Sequence, residues 1–459
     1  MTRRSKRKRK PLPAEPIQAV VESLTHDARG VARVNGKAVF IGGTLPGEEV
    51  MFTYVNQHKR YDEGCLVEVL KPSAHRVEPR CVHFSICGGC SLQHMDPSEQ
   101  IHAKQQMLLD SLTHIGKVTP ESLLPPLTGP QWGYRRKARL GARYVLKKSA
   151  MLVGFREKSG GFIAELTRCE VLHPVVGERI MALRELLDGL HARQDIPQIE
   201  VAIGDRREDG RRTMPEAAAA LVFRTMVALD EHDIARLCAF GEQYGFQIYL
   251  QPGGYESVTL LWPTHLESSA TLSYSLPEYN LELFFLPTDF TQINAELNRA
   301  MISRALELVD PQPADRVLDL FCGLGNFTLP LARRAGHVVG VEGDEKLVQR
   351  AHANARHNGI VNAEFYAADL GLIMDHAWFG QGFNKILLDP PRTGALEIVK
   401  RLAEFGASRI VYVSCNPATL ARDAAELVHR QGYRMRSTGV MDMFPHTTHV
   451  ESIALFEKH

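Results

Sequence analysis

The sequence predicts a doubly wound α/β domain in its C-terminal part, preceded by a small β-barrel and a β-rich central region. Three observations carry this. From Arg316 onward, apolar strands alternate with helical segments, as in a mostly parallel sheet covered on both faces. Several of those strands run straight into reactive or polar residues: Leu320 into Phe321-Cys322-Gly323, Leu388 into Asp389-Pro390-Pro391, and Ser414 into Cys415-Asn416-Pro417. Open α/β sheets bind ligands at such strand ends. Residues 17–72 instead hold five short strands broken by turn signals, which suits a small oligonucleotide-binding (OB) type barrel.

At 459 residues, with 44% hydrophobic and 23% charged residues, the chain has room for several ordinary globular domains. No apolar run reaches the ~18 residues a membrane span needs. The first ten residues hold seven Lys or Arg, with no apolar segment behind them, so they do not read as a signal peptide. A disordered basic tail over residues 1–14 is expected, either meeting a polyanion or simply solvated. A monomer in a reducing cytoplasm is expected, where the 8 cysteines serve metal binding or catalysis rather than disulfides.

In the barrel, assigned to residues 15–74, strands at 31–34 and 37–40 flank Asn35-Gly36, a type I′ hairpin signal. Leu45-Pro46-Gly47-Glu48 marks the next turn. The order Ala28-Arg29-Gly30-Val31-Ala32, hairpin, Leu45-Pro46-Gly47-Glu48 resembles the TRAM domain found on RNA-modifying enzymes.

The central region, assigned to 75–286, opens on Cys81-x5-Cys87-x2-Cys90. Three thiolates around Gly88-Gly89, with Cys169 standing alone downstream, suit an iron–sulfur cluster better than zinc, which wants a second close pair. Cys65 and Cys238 lie in apolar runs and are expected in cores. Residues 98–116 read as a helix, and 98–130 are free to pack on the catalytic domain. From Trp132 the pattern is strand-rich. There Arg135, Arg136, Lys137 and Arg139 interleave with Trp132 and Tyr134, which fits either RNA contacts or a solvated strand face.

The α/β domain, assigned to 287–459, carries the chemistry. Gly323-x-Gly325 lets a ligand approach the backbone, and Glu342, 23 positions beyond Asp319, is placed for ribose hydroxyls. Thr328 replaces the third glycine of a dinucleotide fingerprint, so pyrophosphate is disfavoured and the cationic S-adenosyl-L-methionine fits better. Asp389-Pro390-Pro391-Arg392 resembles the turn of amino-group methyltransferases, but Arg392 stands where an aromatic residue would stack on the base. That favours methylation of carbon through a cysteine. Cys415 ends an apolar strand, ahead of a helix whose positive N-terminal end is expected to lower its pKa. The plainer alternative is a small buried residue.

Phe290-Thr291-Gln292-Ile293-Asn294, Asp319-x-Phe321-Cys322-Gly323-x-Gly325-x-Phe327, Asp389-Pro390-Pro391-Arg392, Ser414-Cys415-Asn416-Pro417 with Ala418 through Asp423, and His449-Val450-Glu451 together resemble the RNA uracil-C5 methyltransferase family. The resemblance runs from Cys81 on. It implies a Rossmann-like methyltransferase domain using S-adenosyl-L-methionine. Cys415 would be the nucleophile and Glu451 the general base. Gln292, Phe321, Asn326, Glu342, Asp369 and Asp389 would line the cofactor pocket. Cys81, Cys87, Cys90 and Cys169 would hold a [4Fe–4S] cluster. Members with both a TRAM domain and that cluster act on uracil 1939 of 23S rRNA, which is the expected partner. The alternatives are a tRNA uracil-C5 methyltransferase, a non-enzymatic RNA-binding protein on the same fold, and an iron–sulfur redox enzyme, the last without a flavin or nicotinamide fingerprint.

Overall fold

The computed structural model describes residues 12–13, 15–205, 217–264, 272–371 and 378–458. The basic run of residues 1–10 lies outside them. The chain divides into two compact units. One comprises Met1–Phe84, Cys90–Gln100 and His446–Thr448; the other comprises Ser85–Gly89, Ile101–Pro445 and His449–His459.

In the first unit, β1 (Ile17–Leu24), β2 (Arg29–Val34), β3 (Lys37–Gly42), β4 (Glu49–Gln57) and β5 (Tyr61–Lys71) form a closed barrel in the order β1-β2-β3-β5-β4. Period-two alternation fills it: Val21, Ala32, Val39, Ile41, Val50 and Phe52 point inward. Asn35 and Gly36 both take positive φ, as the type I′ turn requires. Glu48 is fully buried at the base of its turn. It accepts from Leu45 N at 2.8 Å and Ser73 N at 3.2 Å, and pairs with Arg76 Nε at 2.5 Å. Cys65 is exposed, contrary to expectation, because it falls on the outward face of β5.

The helix α1 (Pro97–Ser111), which belongs to the second unit from Ile101 on, continues in a π-helical turn, Leu112–Gly116, and the short strand β6 (Ser122–Leu123) follows. The central sheet has β7 (Lys137–Val145), β8 (Ala150–Gly154), β9 (Gln198–Asp205), β10 (Ala217–Arg224), β11 (Phe246–Gln251) and β12 (Thr259–Trp262), in the order β12-β11-β10-β9-β7-β8. The short α2 (Pro174–Gly177), α3 (Ile180–Asp188) and α4 (Glu231–Tyr244) accompany it. The strand-rich reading overlooked α3 and α4. The signals for α4 were present: an Asp230 cap accepting from Asp233 N at 2.9 Å, then Leu237 and Phe240 on one face, then Gly245.

The hairpin β13 (Leu272–Leu276) and β14 (Leu281–Phe285) precedes α5 (Ala295–Val309). The catalytic sheet is then built from β15 (Arg316–Leu320), α6 (Thr328–Ala332), β16 (His337–Glu342), α7 (Glu345–His357), β17 (Ala363–Ala367), β18 (Lys385–Leu388), α8 (Leu396–Val399), β19 (Arg409–Ser414), α9 (Pro417–Arg430), β20 (Tyr433–Met441) and β21 (Glu451–Lys458). Its order is β17-β16-β15-β18-β19-β21-β20-β6. The first five strands are parallel, and β21 runs antiparallel between β19 and β20. One face packs on Leu297, Met301, Ile302, Val348 and Ala351, the other on Leu420, Ala424, Leu427 and Ile398. Strand order reverses between β15 and β18, which opens a crevice at their carboxyl ends.

Candidate active site

The crevice floor is the turn after β15. Phe321 (φ +65°), Gly323 (φ +55°) and Gly325 (φ +98°) all adopt left-handed backbone, which costs glycine little and Phe321 more. Gly323 N donates to Glu342 Oε2 at 3.0 Å. The other carboxylate oxygen of Glu342 accepts from Gly343 N at 2.8 Å and Asp344 N at 3.1 Å. Glu342 is thus held at the end of β16 by backbone donors. Asn326 accepts from Tyr274 Oη at 2.8 Å and exchanges hydrogen bonds with Asn298 at 3.0 Å. Asp319 is wholly buried below the turn. Its Oδ2 accepts from Thr328 Oγ1 at 2.5 Å, while Oδ1 has no partner among the described residues. Burial, with Asp389 and Glu342 nearby, pushes its carboxyl up to about 8. Gln292 is half-buried, and Asp369 is exposed with its carboxylate accepting from Gly371 N at 2.8 Å.

The opposite wall carries the reactive groups. β19 and β21 pair as far as Ser414 opposite Ser452. Cys415 is the residue just after β19 and Glu451 the first of β21, and the Glu451 charge bears on the Cys415 sulfur. Glu451 is 6% exposed, not a surface glutamate. Burial and Asp389 raise its carboxyl well above the ordinary range, while Lys104 opposes them. Asp389 is pushed up to about 7 by loss of water. The Cys415 thiol is pushed up to about 11 by burial, then by Glu451 and Asp389. This corrects the expectation that the helix end would lower it. The start of α9 is already capped, with Asn416 Oδ1 accepting from Ala418 N at 3.1 Å, and two carboxylates face the sulfur. Cys322 is buried, its thiol also raised, so it lines the turn.

The loops that present these groups are tied to α9. Asp423, fully buried, accepts from Ala395 N at 2.8 Å and Tyr412 Oη at 2.7 Å. Arg422 donates to Thr393 O at 3.0 Å, and Asn416 Nδ2 to Arg392 O at 3.0 Å. The residues after Cys415 therefore clamp the loop after Asp389. Sequence reading quoted them as a motif without seeing that role.

The basic run of the central region is largely absorbed by structure. Arg136 pairs with Asp205, half-buried Lys137 donates to Asp289 O, and Arg139 pairs with Glu200 at 2.8 Å. Tyr134 is buried with its hydroxyl on Pro445 O at 3.0 Å, so it offers no stacking face. Around the cysteine motif, Gly88 N donates to Arg156 O at 2.8 Å, and a Cβ on Gly88 would lie 2.9 Å from that oxygen. Gly89 N donates to Cys87 Sγ at 3.4 Å. Cys87 is buried in an apolar cluster against which Cys169 packs. In the other unit Cys90 is buried, and Cys81 N donates to Gln93 Oε1 at 3.1 Å. Of the four cysteines, Cys87 and Cys90 are buried, and Cys81 and Cys169 are half-buried. A group not foreseen from sequence, His191, Asp230, His232 and Asp233, brings its ligating atoms within 4.8 Å of one another at the surface. Its aspartates are engaged in backbone caps.

Comparison with known proteins agrees with this geometry. A methyltransferase-domain family model matches residues 311–452, and a TRAM-domain model matches residues 15–51. The chain is similar to the 23S rRNA (uracil(1939)-C(5))-methyltransferase RlmD of Methylococcus capsulatus, 53% identical over 452 residues, covering 98% of this chain and 99% of that protein. It is 55% identical over 454 residues to the protein of that name from Nitrosococcus oceani, covering 98% of each. Among solved structures, the Pyrococcus abyssi tRNA (uracil-54, C5)-methyltransferase in complex with S-adenosyl-L-homocysteine superposes with a TM-score of 0.72 at 24% identity, covering 96% and 99% of the two chains, which establishes a shared fold.

Proposed function

The chain belongs to the S-adenosyl-L-methionine-dependent 23S rRNA (uracil-C5)-methyltransferase family, and from that premise we propose that it methylates the uracil 1939 type site through a covalent bond between Cys415 Sγ and C6 of the base. The observation that supports this reading most is the meeting of Cys415, just after β19, with Glu451, at the start of the neighbouring β21, and with Asp389, whose charges both bear on the Cys415 sulfur.

Uracil C5 is a weak nucleophile. Addition of a thiolate to C6 makes an enolate with carbanion character at C5, which can take a methyl group. S-adenosyl-L-methionine supplies that methyl as an electrophile on sulfonium. Glu342, Phe321 and Asn326, with Gln292, Asp369 and Asp389, would hold it. Glu451 then removes the C5 proton so that the thiolate leaves. The target base must leave its stack to reach Cys415. Burial and the neighbouring acids push the Cys415 thiol up to about 11, so as Sγ adds to C6 its proton passes to solvent water. Cys81, Cys87, Cys90 and Cys169 would hold the [4Fe–4S] cluster, for which the reaction needs no redox step; its part would be structural or in RNA positioning. A monomer acting in the cytoplasm on 23S rRNA completes the reading.

The test is tritium release from RNA labelled at uracil C5. Release from unmodified 23S rRNA and not from tRNA is expected; the reverse would overturn the substrate. Cys415→Ala should abolish release, and full activity in that variant would sink the covalent mechanism. Glu451→Gln should trap a gel-stable protein–RNA adduct. Loss of RNA binding with folding intact in Cys87→Ser would favour the positioning role of the cluster.

A further inference from the structure

We infer that Lys104, held by Asp442 and the Phe444 carbonyl, is a positioning residue whose ammonium favours the ionised form of Glu451, the form that takes the C5 proton. This rests on Glu451 being the base. Lys104 is 1% exposed on α1, and a buried ammonium persists only when paired. Its Nζ lies 2.6 Å from Asp442 Oδ1 and donates to Phe444 O at 3.0 Å. Met441, just before Asp442, is the register partner of Glu451 across β20 and β21. Asp442, just past the end of β20, and Glu451, at the start of β21, are therefore near neighbours. Burial lowers the Lys104 ammonium, and the charges of Asp442 and Glu451 both oppose that.

The surroundings show why a cation is needed there. Asp389 bears on Glu451 from the loop after β18 and Cys415 faces it from the end of β19; negative charge on either disfavours the carboxylate. Lys104 opposes them from α1. Arg392 bears on Cys415, and His449 is faced by Arg392, Lys104 and Arg135. A pair needed only for packing is replaceable by apolar side chains at little cost; this one stands where the reaction requires an ionised acid in a dry wall. In the step it serves, Glu451 takes the proton from C5. The C5–H electron pair becomes the C5=C6 bond, and the C6–Sγ bond breaks with its electrons leaving on Cys415 as thiolate. Glu451 remains as a neutral acid until water takes its proton.

The experiment uses the full chain with C5-tritiated 23S rRNA across pH. Lys104→Met should move the acid limb of the rate profile up by about one pH unit or more. It should also let the methylated adduct accumulate, with S-adenosyl-L-methionine affinity unchanged. Asp442→Asn leaves the ammonium to Glu451 alone and should move the limb down. Opposite shifts support the inference. An equal loss at every pH in both variants is what a packing defect gives, and overturns it. If Lys104→Met does not fold, Asp442→Asn decides alone: a downward shift supports, an unmoved limb overturns. Glu451→Gln run alongside separates the two assignments. Adduct trapping there with unmoved limbs sinks only the Lys104 role; turnover without trapping sinks the base assignment and this inference with it.

Discussion

Cys415 sits beside two acids that disfavour its thiolate. Burial and the charges of Glu451 and Asp389 raise its thiol to about 11, so thiolate is scarce at neutral pH. Alkylation by iodoacetamide, followed by mass spectrometry of the Cys415 peptide, should therefore be slow at pH 7 and rise steadily as pH climbs toward 11. Glu451→Gln removes one of the negative charges and should label faster than the parent at pH 8. Complete labelling of the parent at pH 7 would contradict the electrostatic picture. The place of this cysteine, at the end of an apolar strand and ahead of a turn, was legible in the sequence. Its state was not, because the opposing acids come from elsewhere in the chain. The same holds for Lys104, whose partner Asp442 lies 338 positions away. No local spacing announces such a pair.

Among the elements, α9 does more than cover the sheet. Asp423 satisfies Ala395 N and Tyr412 Oη at once and so couples helix, strand and loop. Tyr412→Phe deletes one of those bonds and should cost about 1 kcal/mol in urea denaturation. Asp423→Ala leaves a buried hydroxyl, a backbone N–H and Arg422 without their acceptor and should cost roughly 3 kcal/mol. It should also weaken S-adenosyl-L-methionine binding, by calorimetry, because the loop carrying Asp389 is released. Equal stability of Asp423→Ala and the parent would show that the clamp is dispensable. The strands of this domain could be read because each is an apolar run with a polar end. Helix α4 was passed over because its apolar face is narrow and flanked by strands on both sides. The basic stretch at Arg136 and Lys137 read as a surface because sequence shows the cations and hides the distant Asp205 and Asp289 that engage them.

For the molecule as a whole, the barrel is set to respond to acid differently from the catalytic wall. Burial would raise the Glu48 carboxyl, but Arg76 and the N–H groups of Leu45 and Ser73 outweigh it and hold it below its ordinary 4.5. A carboxyl depressed by folding contributes stability that is complete above its unfolded value and is lost as pH falls through its folded value. The barrel should therefore melt at steadily lower temperature once pH drops below 4.5, and Glu48→Gln should lower the melting temperature at pH 7 and flatten that dependence. An unchanged slope in the variant would assign the acid sensitivity elsewhere. The composition of three regions and the Leu45-Pro46-Gly47-Glu48 turn were visible in the sequence. The wrapping of Arg76 around Glu48 was not, since it joins a turn to a segment beyond the last barrel strand.

The placement of β21 also governs the order in which the protein can become active. It follows β20 in the chain yet inserts between β20 and β19. As the polypeptide emerges from the ribosome, Cys415 appears first, on a strand with an open edge and no base beside it. β20 must wait, without its neighbour, until Glu451–Lys458 has been made. Cys415 and Glu451 are then brought together in one event, when that strand enters the gap. Until it does, the β19 edge facing the gap is open to pairing with a misplaced strand.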